Sequence, residues 1–377
     1  MDDSEGWHLV STQSDFLQLQ TDWEQLHRRN ALHSPFQTWG WVNAWLRHLA
    51  GPHELLIACH RDPGGDIDFI LPLIRRSGGV GKPNVMLACS FGPECSEKLG
   101  SLRTPTLDDR AASMAAEAVS RFLNPGDYGY LAPLDDSCQS PDKLSKAIGQ
   151  TGRKTSLRPD VVCPTLDLPD SWEVYLQQLS SNFRSQIRRS EKNFTGTGEL
   201  TIRALAPADA ETFTRELIRL NRTRMQVKGE VSSMEDEVFQ AFLLEAIPYM
   251  AAQEMAWMDA VENEAGIVGV SLNFIHGKGI YYYSGGFEDR FNKSRPGTAL
   301  FAGAMRRGIE LGYSSFNFLR GNEPYKYRWG AKDVVDHRVV VFPVARIPAL
   351  LAAAADRLYT VADKAKQTVG RIRARPK

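Results

Sequence analysis

From Ile267 to Gly330 the sequence leaves little freedom of fold. Residues 267–275 alternate, with Val268, Val270, Leu272 and Phe274 on one face. His276-Gly277-Lys278-Gly279 then turns the chain back into residues 280–284. Two such runs joined by a short glycine-rich turn predict a β-hairpin. Its second strand runs into Gly285-Gly286-Phe287. Ser294-Arg295-Pro296-Gly297-Thr298 opens a helix whose apolar stripe is Phe301, Met305 and Ile309, flanked by Leu300 and Ala304. Gly312 stands where a helix C-terminal glycine is expected, and residues 315–319 alternate as a strand. Behind that strand crowd Arg320, Asn322, Glu323, Tyr325, Lys326, Tyr327, Arg328 and Trp329. Nowhere else are hydrogen-bonding and charged side chains so dense beside a strand end.

The rest of the chain reads as a frame around this stretch. Residues 7–10, 55–60, 67–74, 85–89, 128–131 and 161–168 are expected strands. Residues 15–27, 38–49, 109–122 and 141–148 are expected helices, with Trp39, Trp41 and Trp45 in the core, and 90–108 reads as a loop. Asp170, with Glu173 three residues on, marks a helix start. That helix is expected to reach about residue 193, burying Trp172, Leu176, Leu179, Phe183 and Ile187. Gly196-Thr197-Gly198 reads as a turn. Strands at 200–204 and 256–261, helices at 206–226 and 233–250, and a last strand at 337–342 complete the reading.

At 377 residues the chain exceeds the usual single core, and the element order repeats between its halves. The expected class is therefore α+β: two tandem domains, each a mixed, mostly antiparallel sheet flanked by helices. The divisions are 1–160, 161–344 and a helical tail 345–377 with the basic end RIRARPK.

Lys+Arg and Asp+Glu both total 45, which argues against a surface built wholly for nucleic acid. Cys59, Cys89, Cys95, Cys138 and Cys163 are scattered without a C-x-x-C pair, as expected of free thiols in a reducing compartment. The acidic start MDDSEGWHLV lacks a signal-peptide pattern, and no run approaches the ~18 apolar residues of a membrane span. A cytoplasmic location is expected. There is no G-x-x-x-x-G-K-[ST], G-x-G-x-x-G or H-E-x-x-H, and the eight histidines form no ligand cluster. Nucleotide hydrolysis, nicotinamide redox chemistry and metallo-hydrolysis lose ground, and no metal is expected. A helix start at Arg295–Thr298 offers unpaired N–H groups and the positive end of a helix dipole. Gly297 permits close approach and Arg295 adds charge. The combination suits a pyrophosphate such as that of coenzyme A; the same residues also read as a plain cap with Pro in the first turn.

The segments SPFQTWGWVNAW, SNFRSQIRRSEK, SRPGTAL and FNFLRGNEPYKYRWG together resemble the GNAT superfamily. The branch is that of CelD-type proteins of polysaccharide clusters, itself similar to the FemAB peptidyl and aminoacyl transferases. The resemblance covers most of residues 6–343 and is most specific at Arg320-Gly321-x-Glu323-x-Tyr325-Lys326. It departs at Asn317, where the family's pattern carries Asp.

The resemblance implies two GNAT-like domains, the second better preserved. It also implies acyl transfer from acetyl-CoA or another acyl-CoA to an amine of a small molecule, saccharide or peptide precursor. Ser284, Gly285 and Gly286 would grip the carrier and polarise its thioester, while Arg295, Gly297 and Thr298 hold its phosphates. Glu323 is the expected base. Lys326 would hold a phosphate, a substrate carboxylate or the developing oxyanion, and Tyr283 or Tyr325 would protonate the thiolate. Arg184, Arg188 and Lys192, on one basic helix, are expected to bind substrate or carrier, with Asn317 and Arg320 as further substrate contacts. Two other readings stand beside this one: a FemAB-like transferase using charged tRNA, and a non-catalytic accessory protein of polysaccharide export. DNA is not an expected partner, and membrane contact is at most peripheral, through the tail.

Overall fold

Alternating apolar runs form two sheets, and helices bury a stripe against each. The computed structural model describes residues 6–77, 79, 81–92, 96–194, 200–344, 349–351 and 353–354. The first half builds β1 (Trp7–Val10), α1 (Gln13–Gln18), α2 (Gln20–Arg29), α3 (Trp39–His48), β2 (Glu54–Arg61), β3 (Ile67–Arg75), β4 (Val85–Leu87) and β5 (Leu102–Arg103). It continues with α4 (Ala111–Phe122), β6 (Gly129–Leu134), α5 (Asp136–Gln139), α6 (Pro141–Gln150) and β7 (Thr155–Val162). The second half builds β8 (Thr165–Asp167), α7 (Trp172–Gln178), α8 (Ser181–Lys192), β9 (Thr201–Ala204), α9 (Ala210–Val227), α10 (Glu237–Ala252), β10 (Ala256–Asn263), β11 (Gly266–His276) and β12 (Gly279–Phe287). It ends with α11 (Pro296–Glu310), β13 (Ser315–Asn317), α12 (Pro324–Arg328) and β14 (Val335–Val341).

The first sheet runs β1-β2-β3-β4-β6-β14-β7, with β5 paired to β3, and the second runs β8-β13-β12-β11-β10-β9. Only β4–β6 and β12–β13 pair in parallel between these strands; the other pairs are antiparallel. The α+β class with two tandem mixed sheets is therefore what the chain forms. The last strand, β14, belongs by hydrogen bonding to the first sheet, between β6 and β7, although it follows the second in sequence. The chain thus crosses back after completing the second sheet and ties the halves together.

Aromatic packing continues that tie. Trp41, fully buried, meets Phe242, Phe274 and Tyr283 of the second half edge-on, with ring centroids 5.0, 5.3 and 5.5 Å away. Buried indole N–H groups need acceptors. Trp39 donates to the Phe16 carbonyl, Trp41 to Ser96 Oγ and Trp45 to the Phe91 carbonyl.

Several local expectations are corrected. The strand expected at 161–168 is two: β7 ends at Val162, and β8 starts at Thr165 in the other sheet. The helix cap expected at Asp170 is Ser171, whose hydroxyl accepts from Val174 N–H. The long helix behind it breaks at Leu179, and Ser180 caps α8 by accepting from Phe183 N–H, yet the expected apolar stripe is buried throughout. The expected helix at 15–27 divides at Leu19 into α1 and α2, and the 90–108 loop contains β5. Cys59, Cys89 and Cys163 are buried and carry no disulfide. Cys95, Gly196-Thr197-Gly198 and the basic end of the tail lie outside the described residues, as does the Cys138 side chain.

Candidate active site

The site begins where β12 loses a neighbour. Parallel pairing with β13 covers only Gly279–Tyr281 against Ser315–Asn317. Beyond Tyr281, β12 continues to Phe287 paired with β11 alone, and one edge of its backbone opens onto a wedge. Asn317 turns the other strand away. Its Oδ1 accepts the Leu319 N–H at 2.7 Å and its Nδ2 donates to Thr165 Oγ1 at 2.9 Å. An amide supplies both the acceptor and the donor, which a carboxylate would not. Leu319 takes φ +54, a conformation costly for a branched residue unless neighbours impose it. The buried ammonium of Lys326 imposes it, donating to the carbonyls of Leu319 (3.2 Å), Arg320 (2.6 Å) and Gly321 (3.1 Å).

Two clefts open from this wedge. The first, with about 880 Å³ of empty volume, lies against the start of α11 and has Phe183, Phe301 and Trp329 as an aromatic wall. Three arginines line it: Arg224, Arg295 and Arg328. Arg295 and Arg328 both donate to Gln186 Oε1 at 2.8 Å, and Arg328 also lies over the Phe183 ring at 4.7 Å. Arg224 lies over Phe287 at 4.9 Å. Arg295 is the N-cap of α11 in the left-handed conformation, followed by Pro296. Its carbonyl accepts from both Thr298 N–H and Ala299 N–H. Pro296 has no N–H, so the Gly297 amide is the first-turn donor with no hydrogen-bond partner among the described residues. A Cβ on Gly297 would meet only the Phe287 ring, at 3.4 Å. This donor, beside three guanidinium groups, is a fitting place for phosphate oxygens.

The second cleft, with about 1030 Å³ of empty volume, lies on the other side of the β12 edge. Glu323, Lys326, Arg320, Ser284 and Asn221 give it a polar lining, and Met234 and Phe239 an apolar wall. Asn221 on α9 donates to Ser284 Oγ at 3.4 Å and accepts from Ser232 Oγ at 2.6 Å. Glu97 also lines the cleft; its Oε1 accepts from Arg320 Nε at 3.0 Å. Glu97 comes from the stretch read as a loop in the first half, and no local motif announces it.

Tyr282, Gly285 and Tyr325 line both clefts and mark their junction. The Gly285 Cα approaches the Tyr282 hydroxyl so closely that a Cβ would stand 3.0 Å from it. Gly286 serves a different need: a Cβ there would meet the α9 backbone at Leu220 and Asn221, 2.9–3.0 Å away. Neither the Tyr282 nor the Tyr325 hydroxyl has a hydrogen-bond partner among the described residues. Burial pushes the Tyr282 pKa up to about 12, against a smaller downward pull from Arg224, and burial pushes Tyr325 up as well. Both phenols therefore keep their protons at neutral pH.

The remaining expected residues fall into place or out of it. Ser284, Gly285, Gly286, Arg295, Gly297 and Thr298 all line one cleft or both. Tyr283 borders the second cleft, but its ring packs among Phe36, Trp41 and Phe274; it is Tyr282 that reaches the junction. Arg184, Arg188 and Lys192 line neither cleft. Arg184 instead caps the end of α7, donating to the carbonyls of Leu176, Gln177 and Leu179. From α8, Phe183 reaches the first cleft, and Gln186 holds two of that cleft's arginines. Asn317 is buried in the turn described above and touches neither cleft. Among the described residues, no group of three or more His, Cys, Asp or Glu could hold a metal ion, and no helix is long and apolar enough to cross a membrane.

Residues 181–327, which include most of the lining of both clefts, match the family described as an acetyltransferase (GNAT) domain. No curated protein matches the sequence. Solved structures share the fold at low identity. FemX is 10% identical, with 85% of this chain and 95% of that one covered at a TM-score of 0.59. The C-terminal domain of a putative lysylphosphatidylglycerol synthetase from Agrobacterium fabrum is 10% identical, with coverage of 92% and 97% and a TM-score of 0.53. A conserved protein of unknown function from Bacteroides thetaiotaomicron is 11% identical, with coverage of 89% and 99% and a TM-score of 0.53. The match lies within the second half of the chain, and the enzyme class it supports is that of an acyltransferase.

Proposed function

We propose that the protein transfers an acyl group from an acyl-CoA to an amine. The observation that supports this is the junction: two clefts of different chemistry that share Tyr282, Gly285 and Tyr325 beside the open edge of β12. When bound, the carrier supplies an acyl group activated as a thioester. Gly297 N–H and the guanidinium groups of Arg295, Arg328 and Arg224 would hold its phosphates, a set of fixed donors and charges that suits them. The unpaired edge of β12 at 284–286 would grip the extended arm and present amides to the thioester oxygen, stabilising the charge that develops there.

In the second cleft Glu323, half exposed, takes the proton of the attacking amine, directly or through a water. Tyr282 or Tyr325 holds an O–H toward the departing sulfur. Lys326 is assigned a positioning role, since its ammonium is engaged by three carbonyls and by Glu323. An arginine-lined mouth also suits a charged-tRNA carrier, and the fold shared with FemX makes that the second reading.

The test is incubation of the full chain with acetyl-CoA and pools of primary amines, with free coenzyme A and acylated amine followed by chromatography. Amine-dependent release supports the reading. Release from a charged tRNA but from no acyl-CoA would replace it with the second.

A further inference from the structure

We propose that Gln186 is a positioning residue for the carrier. It holds Arg295 and Arg328 in the first cleft without neutralising them, and the cleft thereby selects a carrier with several phosphates over one with a single phosphate. This rests on the first cleft being the carrier side, as assigned above.

The arginines around this cleft fall into two groups. Those outside it carry carboxylates. On α9, Arg215, Arg219 and Arg222 each have a glutamate oxygen 2.7 Å away. Between α8 and α11, Arg306 has Glu191 at 2.6 Å. Those that line the cleft do not. Arg224, on the same α9, meets the Phe287 ring, while Arg295 and Arg328 meet Gln186. None of these three has a carboxylate within ion-pair distance among the described residues. Helix α8 thus offers arginines two side chains of equal length: Glu191 where the arginine lies outside the cleft, and Gln186 where it lines it.

The exchange of acid for amide has a physical consequence. A guanidinium has only donors, so the atom that meets both is the amide oxygen. That oxygen fixes two long side chains and carries no full charge to cancel theirs. The amide nitrogen donates to Asn182 Oδ1 at 3.3 Å, one turn back on α8, and the Phe183 ring adds a second contact to Arg328. Holding the arginines before a ligand arrives removes part of the ordering cost of binding. Two like charges on one neutral acceptor repel each other, and an anion bound to both relieves that repulsion.

Three cations name the class of carrier. A pyrophosphate with a further phosphate answers all of them. A phosphopantetheine arm borne on a protein offers one phosphodiester and leaves cations unanswered. The carrier is then a free, nucleotide-bearing thioester.

The experiment is calorimetry on the full chain with three probes of falling charge that share the pantetheine arm. They are coenzyme A, dephospho-coenzyme A, and the methyl ester of 4′-phosphopantetheine, whose one phosphodiester stands for the protein-borne arm. Affinity should fall about tenfold or more from the first probe to the last, with the second between them. Gln186→Glu keeps the side-chain length and gives both guanidinium groups a carboxylate. It should melt no lower than the parent, bind coenzyme A about tenfold more weakly or worse, and lose most of the preference among the probes. A role in packing alone predicts unchanged binding, since a carboxylate holds guanidinium groups at least as well as an amide. Gln186→Met removes the acceptor without adding charge; it should weaken coenzyme A binding and keep the order of the probes. A parent that binds the first and last probes within about twofold overturns the proposal without any variant. So does a folded Gln186→Glu chain that binds coenzyme A as the parent does. Failure of every probe to bind at millimolar concentration overturns this inference together with the carrier reading, whereas binding without preference overturns this inference alone.

Discussion

Lys326 Nζ lies 2.9 Å from Glu323 Oε2, and the two residues divide structure from chemistry. Lys326 is buried and holds three carbonyls of the turn that opens the wedge; Glu323 is 54% exposed and faces the second cleft. Lys326→Met should lower the unfolding free energy by about 2–4 kcal/mol, because buried carbonyls lose their donor at about 1–3 kcal/mol each and partly relax. Glu323→Gln should cost less, because the amide oxygen can still accept from the Lys326 ammonium, which keeps its three carbonyl partners. Its kcat should fall by about 10²–10⁴, the usual range for a lost general base. Urea titration and steady-state kinetics on both variants separate the two roles. A Lys326→Met protein as stable as its parent would remove the positioning role.

Tyr282 and Tyr283 are neighbours on one strand and face opposite sides of it. Tyr282→Phe removes an unpartnered hydroxyl at the junction and should lower kcat by about 10-fold or more, with the KM for the acyl carrier little changed. Tyr283→Phe alters a ring in the aromatic core and should leave kcat within about twofold. If the Tyr283 variant lost activity and the Tyr282 variant kept it, the junction would be misassigned.

His27, His33 and His276 stack where the halves meet, His27 and His276 with ring centroids 4.2 Å apart. Burial lowers the pKa of all three, His33 to about 3; the neighbouring imidazoles add to the effect at His27, and the Arg103 charge and His276 add to it at His33. In the unfolded chain they titrate near 6.5, so below that pH the unfolded state binds more protons and stability falls with pH. Each group contributes at most about 1.4 kcal/mol per pH unit in that window. Asp336, pushed up to about 7, and Asp259, pushed up to about 6, act in the opposite direction. Comparison with a variant isolates the histidines. His276→Gln keeps a donor for the Asn30 carbonyl, so it should lose less stability than the parent between pH 6.5 and 5, measured by urea midpoints. Equal losses would contradict a neutral, buried cluster.

How much of this was legible beforehand follows from how local each signal is. The 267–284 hairpin and the Arg295–Thr298 helix start were readable, because alternation and a Pro-Gly pair act within a few residues. β7 was not, because it lies at the sheet edge with much of its surface exposed and carries Pro159, which an edge strand tolerates and an interior one does not. Which sheet receives β14 is not written in HRVVVF; both sheets would accept such a run. The face on which Tyr282 or Tyr283 falls depends on a register irregularity between Leu272 and Asn273, and a one-residue slip exchanges the two faces. Arg184 was read from helical spacing as part of a functional stripe, but the break at Leu179 gave it carbonyls to cap. Glu97 reaches the cleft only through tertiary folding, 223 residues from Arg320.

The claim that the α11 cleft holds an acyl-CoA is tested most directly by calorimetry with coenzyme A on the parent chain and on Gly297→Asp. The substitution leaves the backbone unstrained, and a carboxylate is tolerated at a helix start, so the variant should melt cooperatively near the parent temperature. The account predicts a dissociation constant of about 1 mM or tighter for the parent and no measurable binding for the variant. Absence of binding to the parent at millimolar coenzyme A, or equal binding to both proteins, would contradict it.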